Sequence, residues 1–186
     1  MVFDLIQKDL KSLFIKGKTT IFFKMNPKHI KLLPIIASII TVSSSRTKEN
    51  DTSGNAIHDI LTTAGIKVEH YAIIPDNIES IRSEIYYSIK NSNCVIINGG
   101  TGLTHDDCTI EAVTPLLEKK IDGFGELFRQ KSYHEIGTSS MLSRALAGIL
   151  HGSVIFCIPG STPAVTLATT ELIIPEITHI LSHANK

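Results

Sequence analysis

Four short apolar runs, each rich in β-branched residues, alternate with longer segments in which apolar residues recur at helical spacing. The runs are Ile35–Val42, Val68–Ile74, Cys94–Asn98 and Val154–Ile158. Runs of this length are typical of strands buried on both faces, and the intervening segments are long enough to connect parallel strands. We therefore predict an α/β fold in which helices cover both faces of a parallel sheet.

Helices are predicted between these strands from terminal signals and from periodicity. Thr52 or Ser53 is the predicted N-cap of a helix that runs to about Ala64, because Gly65 can take the positive φ that ends helices. A last helix is expected to begin near Thr162, after the fourth strand. The apolar residues that recur at helical spacing are Ile78, Ile81, Ile85 and Ile89 in one segment and Leu142, Leu146 and Leu150 in another.

The chain between the third and fourth strands is harder to assign. Thr114 could cap a helix that has Pro115 at its first position, where a proline is tolerated. Residues 121–137 carry no strand signal and separate the two strands by a long interval. We interpret them as a subdomain or long insertion beside the ligand site.

The first residues differ in charge from the rest of the chain. Residues 1–34 carry seven lysines against two aspartates, although the whole chain is formally neutral. We predict a Lys-rich extension over residues 1–33, with a helix through Phe14 and a short strand at 19–23, followed by one domain over residues 34–186. A solvated arm is favoured over a nucleic-acid or partner contact for this charge block.

The sequence gives no sign of export or of a membrane anchor. Its longest apolar stretch, Leu32–Val42, is about half of the ~20 residues that a membrane-spanning helix needs. The N-terminus lacks the uninterrupted apolar centre of a secretion signal. Cys94, Cys108 and Cys157 are odd in number and lack metal-binding spacing, so we expect reduced, buried thiols and a cytoplasmic protein.

The strongest local motif is a glycine-rich turn, Asn98-Gly99-Gly100-Thr101-Gly102, directly after the third strand. Glycines let the backbone approach a ligand closely, and the free N–H groups of such a turn can hold an anion. A second turn, Pro159-Gly160-Ser161, follows the fourth strand and is expected at the same edge of the sheet. Ligands of open α/β sheets bind at this edge, so the two turns predict a phosphate-binding crevice.

Two aspartates follow strands that end at that edge. Asp76 comes after the second strand and Asp107 after the third. Paired carboxylates beside an anion site suit Mg²⁺-assisted phosphoryl or nucleotidyl transfer. The alternative is purely structural, because Asp76 with Glu79 forms a capping box and Asp107 suits a first helical turn. The residues alone leave both interpretations open.

Taken together, the motifs resemble the MoaB/MogA family over about residues 34–182. Each motif is weak alone, but their order and spacing are specific to that family. They are Thr41-Val42-Ser43, Asp51-Thr52-Ser53-Gly54, Pro75-Asp76, the stretch from Gly99 to Thr104, Asp107, Gly123-Phe124-Gly125-Glu126, Phe128-Arg129, Ile136-Gly137-Thr138-Ser139, Ser143-Arg144 and Pro159-Gly160-Ser161.

The resemblance implies a three-layer αβα fold with a mostly parallel central sheet. It implies a symmetric homo-oligomer, a trimer or dimer of trimers, that uses Mg²⁺ and ATP to adenylylate molybdopterin before molybdate or tungstate insertion. On this transfer Asp76 and Asp107 are the catalytic residues and the Mg²⁺ ligands, and other cofactor-biosynthesis proteins are possible partners. The positions it assigns to substrate binding are Ser53, Gly99, Gly100, Thr101, Gly102, Glu126, Ser143, Arg144, Pro159, Gly160 and Ser161.

The sequence departs from the family at three positions near the expected pocket. Asn98 replaces a usual Thr, Ile110 a common Pro, and Ser44 a frequent Asp or Asn. Two other functions remain as alternatives. One is a non-catalytic molybdopterin-binding module, and the other is a competence-damage-type nucleotide hydrolase of the same fold. The Gly123 to Glu126 motif and Ser143-Arg144 argue against the hydrolase.

Overall fold

The computed structural model of the protein describes residues 33–186, which contain six strands. The four predicted runs are all strands, and their observed ends lie within one residue of the predicted ones. Two further strands were not predicted. The six are β1 (Ile36–Val42), β2 (Lys67–Ile74), β3 (Cys94–Asn98), β4 (Lys119–Lys120), β5 (Leu146–Leu150) and β6 (Ser153–Ile158).

The strands form one sheet in the order β2-β1-β3-β6-β5-β4. β2, β1, β3 and β6 are parallel to one another. β5 runs antiparallel to its neighbour β6, and β4 runs antiparallel to β5. The carboxyl ends of the four parallel strands therefore share one edge of the sheet. β5 begins at that same edge, because Leu146 pairs with Cys157 near the end of β6.

Helices lie on both faces of the sheet, which confirms the three-layer αβα arrangement. One face packs Ile39 and Phe156 against α1, α4, α5 and α6, and the other packs Ile40 and Cys157 against α2 and α3. Alternate residues of a strand point to opposite faces, so each buried strand contributes to both layers. The helices are α1 (Thr52–Thr63), α2 (Ile78–Ser88), α3 (Thr109–Val113), α4 (Asp122–Ile136), α5 (Thr162–Ala168) and α6 (Ile174–Ala184).

The prediction of a helix through Leu142, Leu146 and Leu150 was wrong. Leu146–Leu150 is strand β5, and Gly137–Leu142 is a run of 3-10 helix. A spacing of four places residues on one face of a helix, but it does so equally on a strand with a period of two. The pairing of β5 with β6 decided between them.

The region predicted as an insertion is part of the main layer structure. α4 packs Phe124 and Phe128 into the core beside the sheet, so residues 121–137 form no separate subdomain. Thr114 and Pro115 belong to a single 3-10 turn, Thr114–Leu116, and not to a longer helix. The predicted extension over residues 1–33, with its helix and strand, lies outside the described residues except for Leu33.

The final helical stretch is covered by the protein's own core. Within the described residues, Thr162–Ala184 is long and apolar enough to cross a membrane by length and composition alone. However, Leu172, Ile173, Ile177 and Leu181 are buried against the sheet, as in the core helix of a globular domain.

Candidate functional site

A cavity of about 390 Å³ opens at the sheet edge where the four parallel strands end. The loops after β1, β3 and β6 and the segment before β5 form its walls. Its position matches the predicted crevice. The lining residues are Thr41, Val42, Ser43, Arg46, Asn98, Gly99, Gly100, Thr101, Gly102, Asp107, Leu142, Ser143, Pro159 and Gly160.

The glycine-rich turn adopts a backbone conformation that a residue with a side chain could not take. Gly99 has φ +94°, and a Cβ atom there would lie 2.3 Å from the carbonyl oxygen of Val42. Thr109 holds the turn, because its Oγ1 donates to the Gly99 carbonyl (2.8 Å) and its N–H to the Gly100 carbonyl (2.9 Å). Among residues 33–186, no partner takes the N–H groups of Gly100 and Thr101. They remain available to an anion.

The turn after β6 packs directly on the glycine-rich turn. A Cβ atom at Gly160 would lie only 3.0 Å from the Cα atom of Gly99, so the two backbones are in close contact. Ser161 is the N-cap of α5 and its side chain accepts a hydrogen bond from the N–H of Ala164 (3.4 Å). Pro159 and Gly160 line the cavity, whereas the Ser161 side chain caps α5.

Arg144 fastens the glycine-rich turn from outside the cavity. Its Nε donates to the carbonyl of Thr101 (2.8 Å) and its Nη2 to the carbonyl of Gly102 (2.6 Å). The same guanidinium group pairs with the carboxylate of Glu111 on α3. This pairing lowers the pKa of Glu111. Arg144 therefore joins the segment before β5 to the turn and to α3, and it is not among the cavity-lining residues.

Asp76 is not a helix cap. Asn77 caps α2 by accepting a hydrogen bond from the N–H of Ser80, so the predicted capping box with Glu79 is wrong. The Asp76 carboxylate instead accepts hydrogen bonds from the N–H and Oγ of Ser44, both at 2.9 Å. This contact ties the loop after β1 to the loop after β2.

Asp107 also lies before its helix, not in the first turn. α3 begins at Thr109, and the Asp107 carboxylate accepts hydrogen bonds from the N–H (2.9 Å) and Oγ1 (2.6 Å) of Thr104. Burial raises the pKa of Asp107, but these bonds and one from the N–H of Gly102 outweigh it and lower the pKa. Asp107 is therefore ionised at neutral pH.

The two aspartates belong to one acidic neighbourhood. Asp76 Oδ1 lies 3.2 Å from where a Cβ of Gly100 would stand, so it borders the glycine-rich turn. Cys108 is close enough to both aspartates to feel their charge: its thiol pKa is raised by burial and then by the charges of Asp76, Glu111, Asp107 and Asp106. Negative charge thus accumulates on this side, and the thiol stays protonated. Cys94 and Cys157 are fully buried, but Cys108 is only partly so.

A buried polar network lies on the opposite side of the cavity. Asp51 is fully buried and is the N-cap of α1, in place of the predicted Thr52 or Ser53. Its carboxylate accepts hydrogen bonds from the N–H of Gly54 (2.9 Å), the hydroxyls of Ser53 (2.9 Å) and Tyr71 (2.6 Å), and the guanidinium of Arg46 (2.8 Å).

Two pKa values reflect this network. Burial raises the pKa of Asp51, but hydrogen bonds from Thr41, Tyr71, Gly54 and Ser53 prevail and lower it to about 2. The pKa of Tyr71 is raised by burial and by its hydrogen bond to the charged Asp51. The buried carboxylate is therefore charged and held by several donors at once.

Asn98 extends the network to the centre of the sheet. Its Oδ1 accepts from Ser53 Oγ (2.9 Å) and its Nδ2 donates to Thr41 Oγ1 (2.9 Å). A threonine at this position would supply only one short hydroxyl, whereas the amide reaches both α1 and β1 with an acceptor and a donor. The asparagine that stands here in place of the family's usual threonine therefore has hydrogen-bond partners for both ends of its amide.

The structure brings most of the predicted site residues to one cavity. Of the predicted substrate-binding residues, Ser53 lies in the buried network, Glu126 is exposed on α4, and Arg144 and Ser161 lie outside the lining. Asp76 borders the glycine-rich turn. The predicted residues that line the cavity are Gly99, Gly100, Thr101, Gly102, Asp107, Ser143, Pro159 and Gly160.

Sequence reasoning gave Arg46 no role and named Asp51 only as part of the Asp51-Thr52-Ser53-Gly54 motif. The sequence does contain a signal for Asp51 as the helix cap, because aspartate is a preferred N-cap residue and Asp51 directly precedes Thr52. Arg46 stands in a polar loop with no periodicity or glycine signal. Only the folded chain shows that it reaches the cavity.

The carboxylates fit Mg²⁺ held jointly with a substrate. Within residues 33–186, no group of three or more His, Cys, Asp and Glu side chains could hold a metal ion by itself. Mg²⁺ is usually bound through one or two carboxylates, with water and substrate phosphates completing its coordination. Asp76 and Asp107 each use Oδ2 for protein hydrogen bonds. This donor set suits that mode and not an all-protein metal site.

Comparison with known proteins agrees with this architecture. The family model described as "Probable molybdopterin binding domain" matches residues 38–179. The chain therefore belongs to this family of three-layer α/β domains, which includes the MoaB and MogA proteins of molybdenum cofactor biosynthesis. It is 48% identical over 160 residues to molybdenum cofactor biosynthesis protein B of Bacillus cereus, an alignment that covers 84% of this chain and 92% of the relative. The corresponding protein of Bacillus subtilis is 41% identical over 151 residues, covering 80% and 89%.

Crystal structures of relatives share the fold. A molybdenum cofactor biosynthesis protein B superposes with a TM-score of 0.79 at 46% identity, covering 83% of this chain and 98% of the other. The tungsten cofactor synthesizing protein MoaB from Pyrococcus furiosus gives a TM-score of 0.74 at 38% identity, covering 82% and 98%. Each comparison leaves about a sixth of the present chain unmatched.

Proposed function

We propose that the protein binds molybdopterin at the cavity and transfers the adenylyl group of Mg-ATP to it. One observation carries this proposal. Two close-packed glycine turns, one of them with N–H groups that no described residue takes, lie next to the carboxylates of Asp76 and Asp107 at the ligand-binding edge of the sheet. Such a site combines a place for a phosphate with a place for the cation that a nucleotide brings.

The proposed reaction is a nucleotidyl transfer. A phosphate oxygen of molybdopterin attacks the α-phosphorus of ATP, a new P–O bond forms, and the bond to the β-phosphate breaks, so pyrophosphate leaves. The N–H groups of Gly100 and Thr101 hold and orient the phosphate of the acceptor. Mg²⁺, when bound through Asp76 and Asp107, neutralises charge on the nucleotide phosphates.

We also propose a homo-oligomer, a trimer or dimer of trimers. A group of exposed apolar side chains suited to such contacts lies on α4 and the 3-10 run after it. Tyr133, Ile136, Met141 and Leu142 are all more than half exposed. Apolar residues grouped on a surface are typical of protein contacts. Light scattering that returned a 20.4 kDa particle at micromolar concentration would contradict this assignment.

Pyrophosphate release is the decisive test of the reaction. The protein is incubated with Mg-ATP alone, with molybdopterin alone, and with both, and pyrophosphate is measured over time. We expect release only with both substrates, together with a mass increase of molybdopterin by one adenylyl group. Omitting Mg²⁺ is expected to abolish the release.

The other two functions predict different patterns in the same assay. A nucleotide hydrolase would consume ATP without molybdopterin. A non-catalytic binding module would bind molybdopterin without producing pyrophosphate under any condition. Either pattern would refute the transferase assignment, and absence of molybdopterin binding would refute the ligand as well.

A further inference from the structure

Arg46 is the arginine that lines the cavity, whereas Arg144, which the family resemblance assigns to substrate binding, does not. Arg46 stands on the loop after β1, beside the turn at Gly160. About three tenths of its side chain is exposed. The two arginines differ in how many of their N–H groups the protein itself takes.

The donors of Arg144 are largely consumed by the protein. Its Nε bonds the carbonyl of Thr101, its Nη2 bonds the carbonyl of Gly102 and Glu111 Oε2, and its Nη1 bonds Glu111 Oε1. One of its five N–H groups is left without a partner among the described residues. A guanidinium group committed in this way positions the turn and has little capacity for a ligand.

The donors of Arg46 are divided differently. Nη1 bonds Asp51 Oδ1 (2.8 Å) and Ser53 Oγ, and Nη2 bonds the carbonyl of Gly160 (3.0 Å). These contacts use three of its five N–H groups. The Nε–H group and one N–H of Nη2 make no hydrogen bond within residues 33–186, although the group is fixed in place by buried partners.

We infer that Arg46 is a ligand-binding residue whose two remaining N–H groups contact a phosphate of the ligand bound in the cavity. The inference rests on the proposed function, which supplies two phosphate sources, the phosphate of molybdopterin and the triphosphate of ATP. A planar guanidinium group with two unused N–H donors is suited to contact phosphate oxygens.

The surroundings of Arg46 prepare it for this contact. Asp51 holds the guanidinium from the buried side, so the side chain needs little further ordering when the ligand arrives. The bond to Gly160 also places it beside the turn that packs on Gly99. Arg46, Gly100 and Thr101 thus line the same cavity.

The test measures binding to the full-length protein of three ligands separately: molybdopterin, dephosphorylated molybdopterin and ATP with Mg²⁺. The variants are Arg46→Lys and Arg46→Gln. The lysine keeps a positive charge beside Asp51 but lacks the planar guanidinium group with its several N–H donors. Arg82→Gln is the matched control, because Arg82 is equally exposed and also donates to a backbone carbonyl, that of Ala112, but lies outside the cavity. Melting curves check that each variant is folded.

We expect both Arg46 variants to bind one phosphorylated ligand about 10- to 100-fold more weakly, the range for a lost charged hydrogen bond. Binding of dephosphorylated molybdopterin should stay within about twofold, a readout that a merely structural role would not separate. A loss confined to molybdopterin or to ATP supports the inference and identifies the phosphate source.

Equal affinities of the folded Arg46→Lys variant and the wild type for both phosphorylated ligands would overturn the inference and leave the proposed function intact. Equal weakening of the phosphorylated and dephosphorylated forms would also overturn it. If the wild type binds neither molybdopterin nor ATP, both proposals fail. If binding depends on Arg46 but no pyrophosphate is released, the inference stands and the transferase assignment fails.

Discussion

On the side of α1, the cavity rests on a buried network around Asp51, whereas on the side of α3 it is bordered by carboxylates that water reaches. The buried side has the Asp51 charge paired with Arg46 and held by several donors before any ligand arrives. The acidic side holds Asp76 and Asp107 through neighbouring hydroxyl and N–H groups, with negative charge left over.

The difference separates two tasks that share one sheet edge. A fully buried charge loses its hydration, so it is tolerable only with a complete set of partners, and changing it changes stability. A solvated carboxylate costs little to keep or to remove, so it can serve a metal and its ligand. Substitutions on the two sides are therefore expected to affect different measurements.

The largest effect is expected for Asp51→Ala. This change leaves Arg46 without its buried counter-charge, removes the acceptor of Tyr71 and removes the cap of α1. Breaking a buried ion pair costs about 3–5 kcal/mol, which denaturant unfolding would measure. Asp59→Ala is the control, because Asp59 is exposed on the same helix and the change should stay within about 0.5 kcal/mol. Equal stabilities of the two variants would contradict the role of the network.

The next largest effect concerns Asp76→Asn and Asp107→Asn, measured as turnover. Loss of a carboxylate that holds the metal should lower the rate of pyrophosphate release by ~10²–10³-fold. The free energy of unfolding should fall by no more than about 1 kcal/mol, since both side chains are partly exposed. Asp106→Asn serves as the control, because Asp106 is exposed next to Asp107. Near wild-type rates in both variants would end the catalytic assignment.

A smaller effect on stability is expected for Gly99→Ala. The new Cβ atom would lie 2.3 Å from the carbonyl oxygen of Val42 in a backbone with φ +94°. Strain of this kind costs about 1–3 kcal/mol, and relief of the clash must move the turn, so molybdopterin affinity should fall as well. Gly123→Ala is the matched change, because no atom lies within 4 Å of its added Cβ. It should leave stability unchanged or raise it by up to about 1 kcal/mol.

The smallest effect is the pH dependence that Asp51 contributes. Its folded-state pKa is lowered to about 2 from 3.8, so its contribution to stability is fully present above pH 3.8 and is lost as the pH falls toward 2. Urea unfolding between pH 5 and pH 2 would show this loss. The Asp51→Asn variant should show a shallower decline over the same window, and parallel curves would indicate that other groups cause it.

Local sequence determined the parallel half of the fold. The β-branched runs of β1, β2, β3 and β6 are long enough to show strand character. The turns after β3 and β6 carry glycines where the two backbones approach each other closely. Parallel strands share a carboxyl edge, so the motifs that follow them meet at one place whatever the details of packing. This is why the location of the cavity and most of its lining could be predicted from the sequence.

Tertiary structure decided what local patterns leave ambiguous. Leu146 and Leu150 are four residues apart, which fits both a helix and a strand, and only pairing with β6 made the segment β5. Asn77 and not Asp76 caps α2, because the Asp76 carboxylate accepts hydrogen bonds from Ser44, 32 residues earlier. The two arginines carry no local signal for their roles. Their partners, Gly160 for Arg46 and Thr101 for Arg144, come from distant parts of the chain, so only the folded protein shows which of the two faces the cavity.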